Sequence, residues 1–184
     1  MRELSLNILD IAQNSIVAGA SLTEILVKEN TEEKTLLIGI YDNGKGMTPE
    51  QVENVKDPFF TTRTTRKVGM GIPLFKLAAE QTGGWFKITS QVGVGTKVEA
   101  FFKTDSIDFT PLGDVEATIS TIVSMNEDKD FVYTRVFNDK EFVFKSADIK
   151  AVLDGVPLSE PSVMNWIEDY IRENTQCLFI ERNE

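Results

Sequence analysis

The sequence predicts an α+β fold: a two-layer sandwich of one mixed sheet with helices on one face, followed by a small α+β extension. Three observations lead there. Short apolar runs come in pairs joined by polar or glycine turns, residues 23–28 with 35–41 and 86–91 with 97–103. Segments with helical spacing precede and separate those pairs, an order that suits helices laid over a sheet. A length of 184 residues, 41% hydrophobic and 26% charged, fits one sizeable core plus an appendage.

Over residues 4–18, Leu4, Ile8, Ile11, Ser15 and Ala18 recur at helical spacing, and Gly19 ends the helix. Asn7, Asp10, Gln13, Asn14 and Val17 trace the adjoining stripe, with Asp10 and Asn14 four apart on one face. A hairpin follows, its strands joined by the polar turn 29–34. Its second strand delivers Asp42-Asn43-Gly44-Lys45-Gly46-Met47 at a strand end. Thr48 then caps a short helix with Pro49 at its first position, fading near Val55. Residues 57–67 have no periodicity and form a long loop. Gly71 opens a helix to Thr82, stopped by Gly83-Gly84, and two more strands flank the Gly93-Val94-Gly95 turn.

The character changes after residue 103. Residues 104–113, with Pro111 and Gly113, are a linker. Residues 115–125 alternate well enough to predict a strand, and 131–137 with 141–144 make a hairpin across Asn138-Asp139. Ser146 is placed to cap a helix ending at Gly155. After Pro161, Val163, Trp166, Ile167, Tyr170 and Ile171 form an amphipathic stripe on a last helix.

The net charge of −10 argues against a general nucleic-acid or anionic-membrane surface. Arg2, Glu3 and Asp10 break any signal-peptide pattern, and no apolar run approaches the ~18 residues of a membrane span. Cys177 is the only cysteine, which excludes an intramolecular disulfide and cysteine-cluster metal sites and suits a reducing cytoplasm. The absence of histidine removes serine–histidine hydrolysis, histidine zinc sites and a phosphoacceptor histidine within these residues.

Two stretches carry chemistry. A carboxylate at the glycine-rich turn is an acceptor only, so Asp42 suits the exocyclic amine of adenine and would repel the carbonyl oxygen of guanine. A plain strand-to-helix turn would use the same residue types. Residues 58–76 hold Arg63, Arg66, Lys67 and Lys76 and no acid, with Thr61, Thr62, Thr64 and Thr65 between the cations. Gly69 and Gly71 put backbone amides at a helix N-terminus, which favours phosphate. A solvated loop that touches nothing is the alternative.

The hexapeptide from Asp42 to Met47 resembles the first glycine box of the GHKL (Bergerat-fold) ATPases, which include gyrase, the Hsp chaperone ATPase, histidine kinases and mismatch-repair ATPases. Asn14-Ser15-Ile16-Val17-Ala18-Gly19-Ala20, Gly69-Met70-Gly71-Ile72 and Gly93-Val94-Gly95-Thr96 stand where that family has its other boxes. The likeness covers roughly residues 1–103. It implies an ATP-binding domain over 1–103, a linker at 104–113, and a C-terminal extension at 114–184 of two to three strands then two helices, available for partner docking.

The resemblance also implies roles. Asn14 would be the Mg2+ ligand, with phosphates and water completing the shell; otherwise it is an amide satisfying a helix-to-loop contact. Asp10 stands where several relatives carry a water-activating glutamate, and it is either the catalytic base or a solvated charge. Asp42, Gly44, Gly46, Met47, Gly69, Met70, Gly71 and Ile72 would cradle the nucleotide. The run Asp57-Pro58-Phe59-Phe60-Thr61-Thr62-Arg63 resembles a histidine-kinase F box and the start of its ATP lid, so Phe60, Thr61, Thr62, Arg63, Arg66 and Lys67 join the set. Thr96 would reach adenine through water, although a hairpin turn explains its box equally.

The function expected is a Mg-ATP-dependent regulatory ATPase or protein kinase that phosphorylates a partner protein in trans. Asp10 and the lack of a histidine-bearing dimerisation domain favour an anti-sigma-type serine/threonine kinase. The F box favours a histidine-kinase catalytic domain working on a separate phosphoacceptor. A module that senses ATP or ADP without turnover is the third reading. Partners are ATP and a protein, with no nucleic acid and no membrane, and a homodimer is compatible with each.

Overall fold

The computed structural model describes residues 3–59 and 70–180. Its elements run α1 (Leu4–Val17), β1 (Leu22–Asn30), β2 (Thr35–Asp42), α2 (Pro49–Val55), α3 (Gly71–Gln81), β3 (Trp85–Gln91), β4 (Gly95–Lys103), α4 (Val115–Met125), β5 (Asp130–Phe137), β6 (Lys140–Lys145), α5 (Ser146–Leu153) and α6 (Pro161–Phe179). The α+β class, with a mixed sheet and helices laid on it, is as the sequence predicts.

One six-stranded sheet, in the order β3-β4-β2-β1-β5-β6, runs through the molecule. Neighbours are antiparallel except β1 and β5, which pair in parallel from Leu22↔Asp130 to Glu29↔Phe137. The C-terminal residues therefore extend the first sheet. Alternate side chains decide the layers. Ile25 and Val27, Leu36, Ile38 and Ile40, Val98, Ala100 and Phe102, and Phe131 and Tyr133 are all buried on one side. They share a single core with Leu4, Ile8 and Ile11 of α1, Phe75 of α3, Ile119 and Ile122 of α4, and Ile167 and Ile171 of α6.

The strand expected at residues 115–125 is a helix. Topology requires it: β4 and β5 both run parallel to β1, so the chain must cross back over the sheet between them, and a helix does this. The β-branched residues Thr118, Ile119, Thr121, Ile122 and Val123 suggested strand. The buried set Val115, Ile119, Ile122 and Val123 instead marks one helical face. Asp114 supplies the start signal, its side chain accepting the Ala117 amide at 3.0 Å.

Ser146 also differs from expectation. Its hydroxyl accepts the Phe131 amide at 2.8 Å, tying the start of α5 to β5, and α5 has no side-chain cap. Thr48 does form a capping box with Gln51 on α2. Residues 104–113 turn back across the α1 N-terminus, where the Pro111 and Leu112 carbonyls accept the Leu4 and Ser5 amides at 2.9 and 2.8 Å. Two of the amides that a helix leaves without internal partners are satisfied this way.

Asp114 then binds Arg172 of α6 through both carboxylate oxygens, each at 3.0 Å. Burial pushes its pKa up, but the Ala117 amide and Arg172 outweigh that and hold it below the ordinary 3.8. Asp114→Ala should cost about 1 kcal/mol of stability, near the middle of the range for a lost N-cap, in urea unfolding at neutral pH. The wild-type advantage is complete above the ordinary carboxylate range and disappears as pH falls through the lowered value. An unchanged urea midpoint at pH 7 would contradict the cap assignment.

Candidate functional site

The helix-covered face of the sheet ends in a polar row. Ser90, Thr96, Asp42 and Thr23 lie side by side across β3, β4, β2 and β1. The next row inward, Ile88, Val98, Ile40 and Ile25, is apolar and buried. Asp42 thus stands where the core gives way to a mouth. Its Oδ1 accepts the Gly44 amide at 2.9 Å and its Oδ2 accepts the Ser15 hydroxyl at 2.7 Å. Two donors fix the carboxylate, and each oxygen retains capacity for a ligand donor.

The turn after Asp42 is packed from both sides. A Cβ on Gly44 would stand 2.9 Å from the Ala18 carbonyl oxygen, and one on Gly46 would stand 2.0 Å from that of Gln91. One on Gly95 would stand 1.9 Å from the Asp42 carbonyl oxygen. These glycines let chain press on chain, which fixes the turn from behind. Asn43 faces away from the mouth: its Oδ1 accepts the Ser21 and Leu22 amides at 2.9 and 3.0 Å. Met47 is held by its amide donating to Ser90 Oγ at 2.8 Å, and Ser90 in turn lies 2.8 Å from Thr96 Oγ1.

Asp10 and Asn14 lie on one face of α1, one helical turn apart. Gly71, at the start of α3, approaches that face so closely that a Cβ there would meet the Asp10 Cβ at 3.0 Å and its Oδ2 at 3.6 Å. The N-terminus of α3 is thereby brought beside Asp10, with Met70 as its exposed N-cap and no side chain capping it. Ile72 is buried beneath it. Asp10 keeps contact with solvent, yet the packing desolvates its carboxyl enough to raise its pKa above the ordinary 3.8. Phe60, Thr61, Thr62, Arg63, Arg66, Lys67 and Gly69 lie outside the described residues.

The structure brings Asp10, Asn14, Asp42, Gly44, Gly46, Met47, Met70, Gly71, Ile72 and Thr96 to one end of the α1–sheet boundary. It adds Ser15, Ser90 and Thr23. Ser15 was visible as a small residue in an apolar stripe and as the second residue of the box that starts at Asn14, with no role of its own. Ser90 could have been found by counting the hairpin register back from Thr96. A cavity of about 460 Å3 beside Tyr41 and Glu99 is on the other face of the sheet.

Residues 1–106 match the model of the histidine kinase-, DNA gyrase B- and HSP90-like ATPase family. The chain belongs to that family. Among curated relatives it is 26% identical over 107 residues to a putative sensor histidine kinase NtrY-like of Rickettsia bellii, covering 58% of this chain and 17% of that protein. It is 34% identical over 101 residues to the sensor protein SrrB of Staphylococcus aureus, covering 52% and 17%. The chain thus spans about a sixth of the length of these relatives. Of solved structures, the Aquifex aeolicus MutL ATPase domain complexed with ADP superposes with a TM-score of 0.50 at 16% identity, over 84% of this chain and 70% of that one. The N-terminal domain of a DNA repair protein gives 0.55 at 15% identity, over 78% and 52%. Those two likenesses are of fold.

The close packing of the turn yields a comparison between glycines. Gly46→Ala adds a clash with Gln91 to an unfavourable φ of 69° and should cost clearly more than Gly19→Ala. Gly19 has a φ of 76° with nothing within 4 Å, so only the left-handed backbone cost of about 1–2 kcal/mol applies. Thermal unfolding of the two variants compares them, and equal losses would show that the turn is loosely packed.

Proposed function

We propose that this chain is a Mg-ATP-binding phosphotransfer module that moves the γ-phosphoryl group of ATP to a partner protein. The observation that carries this reading is the Asp42 carboxylate, locked by Ser15 and Gly44 at the sheet end while Asp10 and Asn14 stand along the adjoining helix face. Asp42 accepts the adenine amine, and Thr96 and Ser90 supply hydroxyls beside it. The α3 N-terminus and the cationic residues of 63–67 bind phosphate. The Asn14 side-chain oxygen suits Mg2+, which takes one or two protein ligands and fills its shell with phosphate and water. When bound, the ion neutralises charge on the phosphates.

Asp10 is the base. Partial desolvation raises its pKa above that of a free carboxylate, which improves proton acceptance. An acceptor oxygen or nitrogen attacks the γ-phosphorus, the bond to the β,γ-bridging oxygen breaks, the acceptor proton passes to Asp10, and ADP leaves. A partner serine or threonine is the favoured acceptor, since a hydroxyl needs such a base. A partner histidine is the second reading, favoured by the sensor histidine kinases among the relatives. With no histidine among the 184 residues, that acceptor would lie elsewhere. The cytoplasm is where both ATP and a free Cys177 thiol are expected.

Asp42→Asn should weaken ATP by about 1.5–3 kcal/mol, the worth of a hydrogen bond to a charged group, and wild-type protein should prefer ATP over GTP. Calorimetry returning equal ATP affinity for variant and wild type, or equal ATP and GTP affinities, would remove the adenine assignment. Asp10→Asn should abolish phosphate release and labelling of partners in a cell extract supplied with labelled ATP. It should leave stability at pH 7 unchanged or slightly raised, since it deletes a desolvated charge whose burden grows as pH rises through its raised pKa. Acid-stable label on a partner marks serine or threonine, acid-labile label marks histidine or aspartate, and wild-type turnover by the variant would rule out the base.

A further inference from the structure

The face of the sheet opposite the helices is uncovered among the described residues, and its three rows are readable from strand register. The first runs Trp85–Phe101–Leu37–Lys28–Val136–Glu141. The second runs Lys87–Glu99–Gly39–Leu26–Thr134–Val143, and the third Thr89–Lys97–Tyr41–Glu24–Val132–Lys145. An apolar band crosses it from Trp85, stacked on Phe101 at 5.6 Å and still 44% exposed, through Leu37 and Leu26 to Val143, 39% exposed. Apolar residues inside a charged margin mark interaction surfaces. At the centre a Cβ on Gly39 would clash with the Tyr41 hydroxyl, so the tyrosine lies down over the glycine, its hydroxyl donating to Glu99 at 3.0 Å beside the shallow cavity on this face.

We propose that this face is the interface for a second copy of the chain, packed sheet to sheet about a two-fold axis that lies along the Gly39–Leu26–Thr134 row. The charges select that occupant. The axis keeps each strand opposite its own copy, reversed, so the first row of one molecule lies on the third row of the other. Lys28 then faces Glu24, Glu141 faces Lys145, Leu37 faces Tyr41 and Val136 faces Val132, every pair occurring twice. Leu26, Thr134 and Val143 meet themselves. Lys87 and Glu99 also meet themselves, but as cross-strand neighbours they can exchange partners across the axis. A partner of a single charge sign has no such fit.

Size points to a weak pair. Six strands ~4.8 Å apart and three rows ~7 Å apart give at most roughly 600 Å2 per copy, so at most about 1,200 Å2 in all, and any splay of the edge strands puts the pair among transient contacts. Twisted sheets pack about 30° apart, which leaves the central strands β2, β1 and β5 in closest contact and splays β3 and β6. The nucleotide mouth is on the other face, so pairing leaves it open.

Lys28 and Glu24 provide the test, because on one strand they are about 13 Å apart and do not pair with each other. Sedimentation velocity of the full chain should show a concentration-dependent dimer. Lys28→Glu should weaken it by about tenfold or more, since like charges then face each other, and the double change Lys28→Glu with Glu24→Lys should restore it. Leu26→Asp, outside the core, should give a monomer whose unfolding midpoint matches that of wild type diluted to its monomeric range. Monomer alone at about 100 μM wild type, where even a weak specific dimer is populated, overturns the proposal and leaves the face to another segment or protein. A dimer indifferent to Leu26→Asp, or a double variant no tighter than Lys28→Glu, overturns it too. None of these readings involves ATP, so the result is independent of the proposed phosphotransfer.

Discussion

The hydrogen bond from Ser15 to Asp42 joins the two halves of the site. Asp42 belongs to the sheet, while Asp10 and Asn14 belong to α1, and nothing in either element alone fixes their separation. The Ser15 hydroxyl, 2% exposed and 2.7 Å from the carboxylate, spans that boundary. A partly buried hydrogen bond to a charged acceptor is short and stronger than one between neutral groups. The lower support is backbone: the Lys45 amide donates to the Ala18 carbonyl at the end of α1. One side-chain bond and one main-chain bond therefore tie the end of α1 directly to the sheet end.

Close approach at glycine does the same work on the other sides. Gly95 sits against the Asp42 carbonyl, Gly46 against Gln91, and Gly71 against Asp10. Each brings a different element, β4, β3 or α3, to within contact of the residues around the carboxylate. In the sequence Gly46 and Gly71 suggested backbone room for a ligand, and Gly95 a hairpin turn. The structure shows the first use of that room to be the packing of chain on chain, which holds the carboxylate from behind and leaves its free side outward.

What was legible in the sequence follows from how local the signals are. The hairpins β1–β2 and β3–β4, the capped helix α2 and the helices α1 and α3 were readable because alternation, caps and turn residues act over a few positions. Their ends shifted by a residue or two at most. Asp10, Asn14, Asp42 and Thr96 were singled out as candidates because each stands in or near a box that the sequence shares with the family. Ser15 and Ser90 were not, since their partners lie 27 and 6 residues away and depend on how helix and hairpin dock. The misassigned segment 115–125 has the same cause. Its β-branched residues favour strand locally, but the parallel pairing of β5 with β1, a contact across more than a hundred residues, demands a returning helix there. Arg135 was equally hidden: a cation 2% exposed, it pairs with Glu29 of β1 beside the packed rings of Phe137 and Phe179.

That parallel pairing gives the C-terminal residues a structural relation to the site that a tethered appendage would lack. β5 adds to β1, α4 packs in the same core as α1, and the carbonyls of Pro111 and Leu112 satisfy the first amides of α1. Gly113 permits this last contact, because a Cβ there would fall 2.4 Å from Glu3 Oε2 and 2.6 Å from Ser5 Oγ, at a φ of 77°. The next residue, Asp114, is bound by Arg172 of α6. The helix that carries Asp10 and Asn14 is therefore held at its N-terminus by the segment leading into the extension and at its C-terminus by the Asp42 turn. Asp114 thus joins α6 to a strap bonded to α1, so residues beyond the family domain contribute contacts to the helix within it.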